Sequence, residues 1–413
     1  MILLSNRSHL NPNRWHTNDK SSTDIKPLPP NRMQVLHIIT DFNDGGAQAV
    51  LYRFITADRQ NTHQVISLMG IGWYGERSIE LGFQVHSLDM PKGRITLNGI
   101  TKLYKLIRES DPDLIQTWMY HSDFIGSAIA RLVGKKAIVW GIHNSNLDPA
   151  KTALTTRLIA RGCALISGTI PQKIISCSND GVKIHSELGY QSQKMIVVPN
   201  GYDISEFSPK PDLRSALRNQ LQVSEDTTLI GTIARWNPQK DHPNLIAALS
   251  QLQTRSQLPW HCILVGSFLD KDNQELLSLL AKYGVENRVT LLGIRSDIPA
   301  VMNALDLHVL PSAYGEAFPN VVSEAMACGT PCIVTDVGDA GLIVGNAGWV
   351  VPPRDPEQLA TAMLTAINEK SNPTAWQARQ ALCRERIETN FNLQIMIEKY
   401  NDVWKEAILS ASK

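Results

Sequence analysis

Two acids eight residues apart and two cations five apart are the side chains best placed to do chemistry. Glu316 and Glu324 lie in the stretch 311–331, PSAYGEAFPNVVSEAMACGTP. A carboxylate accepts from two adjacent hydroxyls, so Glu324 suits a ribose and Glu316 another hydroxylated group. Asn320, Val321 and Val322 open the helix pattern that carries Glu324. Amides at a helix start lack partners within the helix and attract anions. Spacing alone fits equally well a helix-terminus charge beside a solvated loop acid. The cations are Arg235 and Lys240, in Arg235-Trp236-Asn237-Pro238-Gln239-Lys240. A guanidinium offers a two-pronged grip and an ammonium a point charge, so the pair can converge on one diphosphate or simply be solvated.

These residues need elements to hold them. An apolar strand pattern at 307–310 feeds the loop with Glu316, and a helix pattern at 320–328 follows. Gly329 closes that helix and Pro331 blocks its continuation. Further strands are expected at 229–234, 262–266, 289–292, 332–335 and 349–351, with helices at 243–252, 275–283, 299–305 and 357–367 between them. The first half alternates in the same way. Its strands are expected at 35–40, 63–68, 84–88, 114–118, 137–143, 173–178 and 195–199, with helices such as 47–57 and 95–108. Near-continuous apolar strands alternating with helices indicate parallel sheets covered on both faces. In the first half, Gly45 and Gly46 form a strand-to-helix turn where backbone can approach a phosphate or sugar. His121 and the pair His143-Asn144 stand at strand carboxyl ends, the usual ligand edge of such sheets.

Size and charge bound the answer. The chain has 413 residues, 43% of them hydrophobic, which suits two domains with full cores. A net charge of +1 argues against a protein that grips nucleic acid by neutralising phosphates. No apolar run reaches the roughly 20 residues of a membrane span. The six cysteines are scattered and form no C-x-x-C, which disfavours a disulfide or metal framework and fits a reducing cytoplasm. Residues 1–33 are polar and aperiodic and read as a disordered leader. Val197-Val198-Pro199-Asn200-Gly201-Tyr202-Asp203 breaks the chain where two domains would hinge. The domains therefore read as 34–200 and 201–385, with a final helix pattern over 376–407.

The motifs resemble those of the retaining GT-B glycosyltransferases, also called glycosyltransferase group 1. The E-x₇-E segment at Glu316 and Glu324 is similar to the family signature, with Ala317 where many members have Gly. The segment from Arg235 to Lys240 resembles "G-R-L-x-x-x-K-G", with Ala234 and Asp241 at its glycine positions. "G-G-A-Q", at Gly45 and Gly46, resembles the first glycine loop, with Gln48 for the commoner Glu. Leu292-Gly293-Ile294-Arg295 resembles "F-L-G-x-R", and the segment from Val197 through Phe207 and Pro209 resembles the interdomain crossover. The resemblance covers about Val35 to the end.

The resemblance implies a fold, a reaction and roles. The fold is GT-B: two Rossmann-like parallel-sheet domains facing a central cleft, with a C-terminal segment, 386–413, crossing back to the first domain. The reaction is transfer of a sugar from a nucleotide-sugar, UDP- or GDP-linked, to an acceptor hydroxyl, retaining the anomeric configuration. Arg235, Lys240, Gly45 and Gly46 would hold the donor diphosphate, with the amides near Asn320, Val321 and Val322. Glu324 would bind the ribose. Glu316, with Ala317 and Phe318, would lie beside the donor sugar, and Ile294 and Arg295 near the base. The family's H-x-H falls on Gln116-Thr117-Trp118 here, and His121, three residues on, is the candidate near the reacting carbon. No metal site and no resident cofactor are expected. A glycan or lipid-linked acceptor is expected, in surface polysaccharide or lipid-linked glycan synthesis.

Rival readings have their own residues. Gly70-Ile71-Gly72-Trp73-Tyr74-Gly75 imitates a dinucleotide fingerprint, with Asp89 downstream. It follows the second strand rather than the first, and Trp73 and Tyr74 would crowd a pyrophosphate. A GT-B sugar-nucleotide epimerase is a second rival and a non-catalytic nucleotide sensor a third. Residues 150–170 form a helix pattern with Arg157 and Arg161 beside Leu154, Leu158 and Ile159. It reads as a packed helix with a solvated face, or as a peripheral contact with the anionic inner face of the membrane.

Overall fold

The computed structural model describes residues 32–43, 45–145, 147–148 and 152–413. The expected leader, 1–33, lies almost wholly outside these. The first sheet has seven parallel strands: β1 (Gln34–Ile39), β2 (Thr62–Ser67), β3 (Gln84–Ser87), β4 (Leu114–Trp118), β5 (Ile138–Ile142), β6 (Lys173–Ser176) and β7 (Met195–Val197), in the order β3-β2-β1-β4-β5-β6-β7. The second has six: β8 (Thr228–Ile233), β9 (Trp260–Val265), β10 (Val289–Gly293), β11 (Leu307–Leu310), β12 (Cys332–Thr335) and β13 (Trp349–Val351), ordered β10-β9-β8-β11-β12-β13. Every pairing within both sheets is parallel.

Strand composition explains the layering. β4, β8 and β12 are buried along their whole length, as strands covered on both faces must be. Each sheet has an apolar cluster on either face, four in all. The strand order reverses beside β1 in the first sheet and beside β8 in the second. Crevices open at the carboxyl ends of strands at such reversals. The loops after β1 and β4, and those after β8 and β11, carry most of the candidate residues; His143 and Asn144 follow β5, and Ile294 and Arg295 follow β10.

The C-terminal pattern differs from a single helix over 376–407. The structure has two helices, Pro373–Asn390 and Leu393–Ala411. Asn392 breaks them because its side chain accepts from the Gln394 amide at 2.7 Å and starts a new helix. The same break pairs with the crossover: Tyr202 N donates to Phe391 O and Leu393 N to Tyr202 O, at 2.9 and 3.0 Å. The last helix then buries Met396, Ile397, Tyr400, Val403 and Trp404 against the first sheet. Each large side chain contributes roughly 1.5–3 kcal/mol by burial. Trp404 Nε1 also donates to Gln116 Oε1 at 2.9 Å, which fixes the register of the helix.

The glycine-rich imitation of a dinucleotide fingerprint has a packing role. Gly72 opens the helix Gly72–Glu80 with φ +71°, and a Cβ there would sit 2.5 Å from the Phe42 carbonyl carbon. The space a pyrophosphate would need is filled by the chain's own β1 loop.

Candidate active site

The second lobe gathers the charged residues. After β8, Asn237 accepts from the Gln239 amide at 2.9 Å and shapes the turn Pro238–Lys240. That turn is stitched to the β11 loop: Ala313 N donates to Gln239 O at 2.8 Å, and Gln239 Nε2 to Gly315 O at 2.9 Å. Lys240 Nζ thereby meets Glu316 Oε1 in an ion pair. Ser312 Oγ donates to the same oxygen at 2.5 Å, and Thr335 Oγ1 anchors Ser312 through its carbonyl at 2.6 Å. Glu316 is buried with Ala317 and Phe318, whereas Arg235 on the neighbouring loop is exposed.

The loop that carries Glu316 is closed by Gly338. Its φ is +58°, and a Cβ there would lie 1.6 Å from the Glu316 carbonyl oxygen. Only glycine permits both the backbone angle and the approach.

The helix Asn320–Ala327 begins after Pro319 without a side-chain cap. One expectation changes here: the Val322 amide donates to Pro319 O at 3.2 Å, because the first turn tightens. The Asn320 and Val321 amides are the ones left at the helix start. Asn320 Oδ1 accepts from Asn200 Nδ2 and from the Tyr202 hydroxyl, at 3.1 and 2.8 Å. Glu324, one turn on, is 14% exposed and receives Arg53 Nη1 at 3.3 Å. Burial raises the pKa of Glu324, and Arg53 opposes that shift.

At the ends of β9 and β10, Ile294 is 78% exposed and Phe268 69%, an apolar pair able to face a base. Arg295 turns aside to Asp297, with contacts of 2.5 and 2.8 Å.

The first lobe contributes glycines, histidines and aromatics, with Asp41 in its β1 loop and Arg53 reaching across to Glu324. Gly46 faces Asn320 across the junction, since a Cβ there would lie 3.8 Å from Asn320 Nδ2. Gln48 folds under the loop and donates to Asp41 Oδ1 at 3.1 Å, so it braces the turn. His121 follows β4 half-buried, and desolvation lowers its pKa. His143 stacks on Trp118 with ring centres 4.9 Å apart, and burial pushes it down to about 4. Asn144 donates to the Tyr120 hydroxyl at 3.4 Å. Ser145 Oγ donates to the Glu316 carbonyl at 2.7 Å, and Asp339 caps the helix Asn179–Leu188 by accepting from Asn179 N at 2.9 Å. A cavity of about 120 Å³ beside Gln34, Thr62 and Ser110 sits at the amino-terminal edge of the first sheet, away from all these loops.

Glu316 and Lys240 are thus in contact, the Asn320 helix start faces Gly46, and Glu324 meets the first lobe. Sequence reasoning missed Ser312 and Phe268, and also Ser145, Asp339 and Arg53, which act through contacts distant in sequence. Of these only Ser312 lies inside the 311–331 stretch that carries the two acids.

Comparison with known proteins follows the same division into two lobes. The family described as "Glycosyltransferase Family 4" matches residues 44–206, and "Glycosyl transferases group 1" matches 214–381. The chain belongs to the group 1 glycosyltransferases of GT-B fold. This glycosyltransferase is 24% identical over 320 residues to the UDP-Gal:alpha-D-GlcNAc-diphosphoundecaprenol alpha-1,3-galactosyltransferase of Escherichia coli, covering 76% of this chain and 80% of that one. A D-inositol 3-phosphate glycosyltransferase of Rhodococcus opacus is 29% identical over 51% of this chain and 49% of its own. Among solved structures, HepE of Anabaena in complex with UDP superposes with a TM-score of 0.78 at 24% identity, covering 90% of this chain and all of that one. The same Anabaena protein has also been solved with UDP-glucose. No helix among the described residues is long and apolar enough to cross a membrane.

Proposed function

We propose that this glycosyltransferase moves a hexose from a nucleotide-sugar, UDP-linked in the first instance, to a hydroxyl of a lipid-linked saccharide with retention at the anomeric carbon. What supports the reading is the Lys240–Glu316 ion pair, together with exposed Arg235 after β8 and the helix start after β11, at the carboxyl ends of two paired strands. Arg235 and Lys240 stabilise the charge that grows on the departing diphosphate, the work a metal does elsewhere, so no resident metal or cofactor is invoked. Glu316 orients the sugar and Glu324 the ribose, while Ile294 and Phe268 face the base.

The bond from the anomeric carbon to the phosphate oxygen breaks. The acceptor oxygen bonds to the same face of that carbon, and its proton passes to the departing phosphate. No protein nucleophile is required, and His121 lines the acceptor side. The lipid-linked acceptor is supported by the Escherichia coli relative, whose own acceptor is a diphosphoundecaprenol. The helix Leu154–Ile166 supports a peripheral site at the cytoplasmic membrane face: Leu154, Leu158 and Leu165 are exposed along it at 63, 54 and 86%, beside Arg157 and Arg161. Flotation with anionic vesicles checks that placement, and Leu158→Ser with Leu165→Ser should abolish it.

Incubation with UDP-glucose, UDP-galactose and a diphosphoprenyl saccharide, read by NMR of the new linkage, tests the reaction. Retention supports the reading. An inverted product contradicts it, and an epimerised nucleotide-sugar formed without acceptor contradicts it in favour of an epimerase.

A further inference from the structure

Arg53 has no part in the transfer chemistry, yet it touches the acid assigned to the ribose. It lies two turns into the helix Gly46–Ala57 of the first lobe, and its Nη1 crosses the junction to Glu324 Oε1 at 3.3 Å. Both side chains are shielded, with 12% and 14% exposed. The guanidinium carbon also lies 4.7 Å from the centre of the Tyr202 ring. Tyr202 in turn donates to Asn320 Oδ1 at 2.8 Å, on the turn before Glu324. Arg53 is therefore clamped between a carboxylate and an aromatic face, both tied to the same short helix.

The chemistry of a buried acid gives this clamp a purpose. Burial favours the protonated form of Glu324 and Glu206 adds to that, while Arg53 favours the carboxylate. A protonated acid carries a donor and loses acceptor capacity, whereas a carboxylate accepts at both oxygens. Arg53 uses Oε1, so Oε2 remains to accept from a sugar hydroxyl.

We propose that Arg53 is a positioning residue for the nucleotide: reaching over from the acceptor-side lobe, it holds Glu324 by Oε1 and turns it so that Oε2 accepts from the ribose 2′-hydroxyl. The first lobe thereby completes the donor site, and recognition of ribose depends on the two lobes being together. The proposal rests on Glu324 being the ribose acid.

Calorimetric titration of the full chain with UDP and 2′-deoxy-UDP separates a positioning role from a bracing one; GDP and its 2′-deoxy form serve if the base is guanine. A hydrogen bond to a charged group should favour UDP by about ten-fold or more in the unaltered enzyme. Arg53→Met should remove most of that preference, weakening UDP about ten-fold and the deoxy form far less. Arg53→Lys should give an intermediate ratio. An Arg53→Met enzyme that binds both nucleotides more weakly but keeps the full ratio overturns the proposal, since Arg53 would then only hold the lobes together. Should Arg53→Met lose its cooperative melt, Arg53→Lys decides: a reduced ratio supports the proposal and an unchanged one overturns it. Glu324→Gln is the separate control. If it keeps the ratio, the ribose assignment itself fails and the proposal falls with it.

Discussion

The loops at the carboxyl edge of the second sheet hold Arg235, Lys240, Glu316 and Glu324, whereas the facing loops of the first sheet hold glycines, stacked aromatics and histidines that burial keeps neutral. The difference fits the two tasks that the proposed reaction would set. A nucleotide diphosphate is small and strongly charged, so it is held by few, strong, directed contacts. A saccharide on a lipid carrier is neutral at its reacting end and is recognised by shape and by weaker hydrogen bonds. The two edges also touch, through Ser145 on Glu316, Asp339 on the helix Asn179–Leu188, and Arg53 on Glu324. The charged donor side is braced from the first lobe, Arg53 among the braces.

Substitutions should expose this asymmetry. The largest effect is expected at the donor edge: Lys240→Ala or Arg235→Ala should lower kcat/KM by roughly ten- to a thousand-fold, the scale of losing one electrostatic contact to the leaving group. His121→Ala should leave hydrolysis of the donor in water nearly unchanged and reduce transfer to acceptor. Equal losses in both assays would dissolve the division of labour. Next, Gly338→Ala forces the Glu316 loop away, at a cost of about 1–3 kcal/mol in strain alone. Activity should fall at least about ten-fold, with nucleotide binding less affected. A Gly338→Ala enzyme that keeps full activity would show that the Glu316 backbone is not fixed from beneath.

The smallest effect per residue concerns acid, and here the lobes should behave alike. Burial holds His143 and His185 in the first lobe at about 4, and His242 and His308 in the second at about 4 and about 3. Their folded values lie below the unfolded value near 6.5, so the unfolded chain binds more protons between the two. Stability is full above about pH 6.5 and falls with pH toward 4, by about 1 kcal/mol per ring at about pH 5.5. Thermal melts at neutral and mildly acid pH check this. A melting temperature independent of pH over that window would contradict it, and His308→Leu should make the loss shallower.

The same asymmetry decided what could be seen in the sequence. The strand and helix alternation of both halves was legible because parallel strands buried on both faces leave long apolar runs. The candidate donor residues could be picked out because their spacing is local: the turn with Lys240 and the loop and helix with Glu316 and Glu324 are each continuous segments. The contacts between segments were not. Nothing near Arg53 in sequence points to Glu324, 271 residues away. Thr389, Asn390 and Phe391 favour helix weakly and Asn392 is an N-cap residue, so the break had a local signal, but its pairing with the crossover is not local. The Val322 amide was counted as open because the tightening of a first turn leaves no mark in residue types.

A crystal structure of the full chain with UDP tests the charged edge most directly. The diphosphate is expected between Arg235, Lys240 and the amides of Asn320 and Val321, the ribose on Glu324 and the uracil against Ile294 or Phe268. A nucleotide bound instead in the Gly70–Gly75 turn, or anywhere on the first lobe alone, would contradict the donor role given to the second lobe.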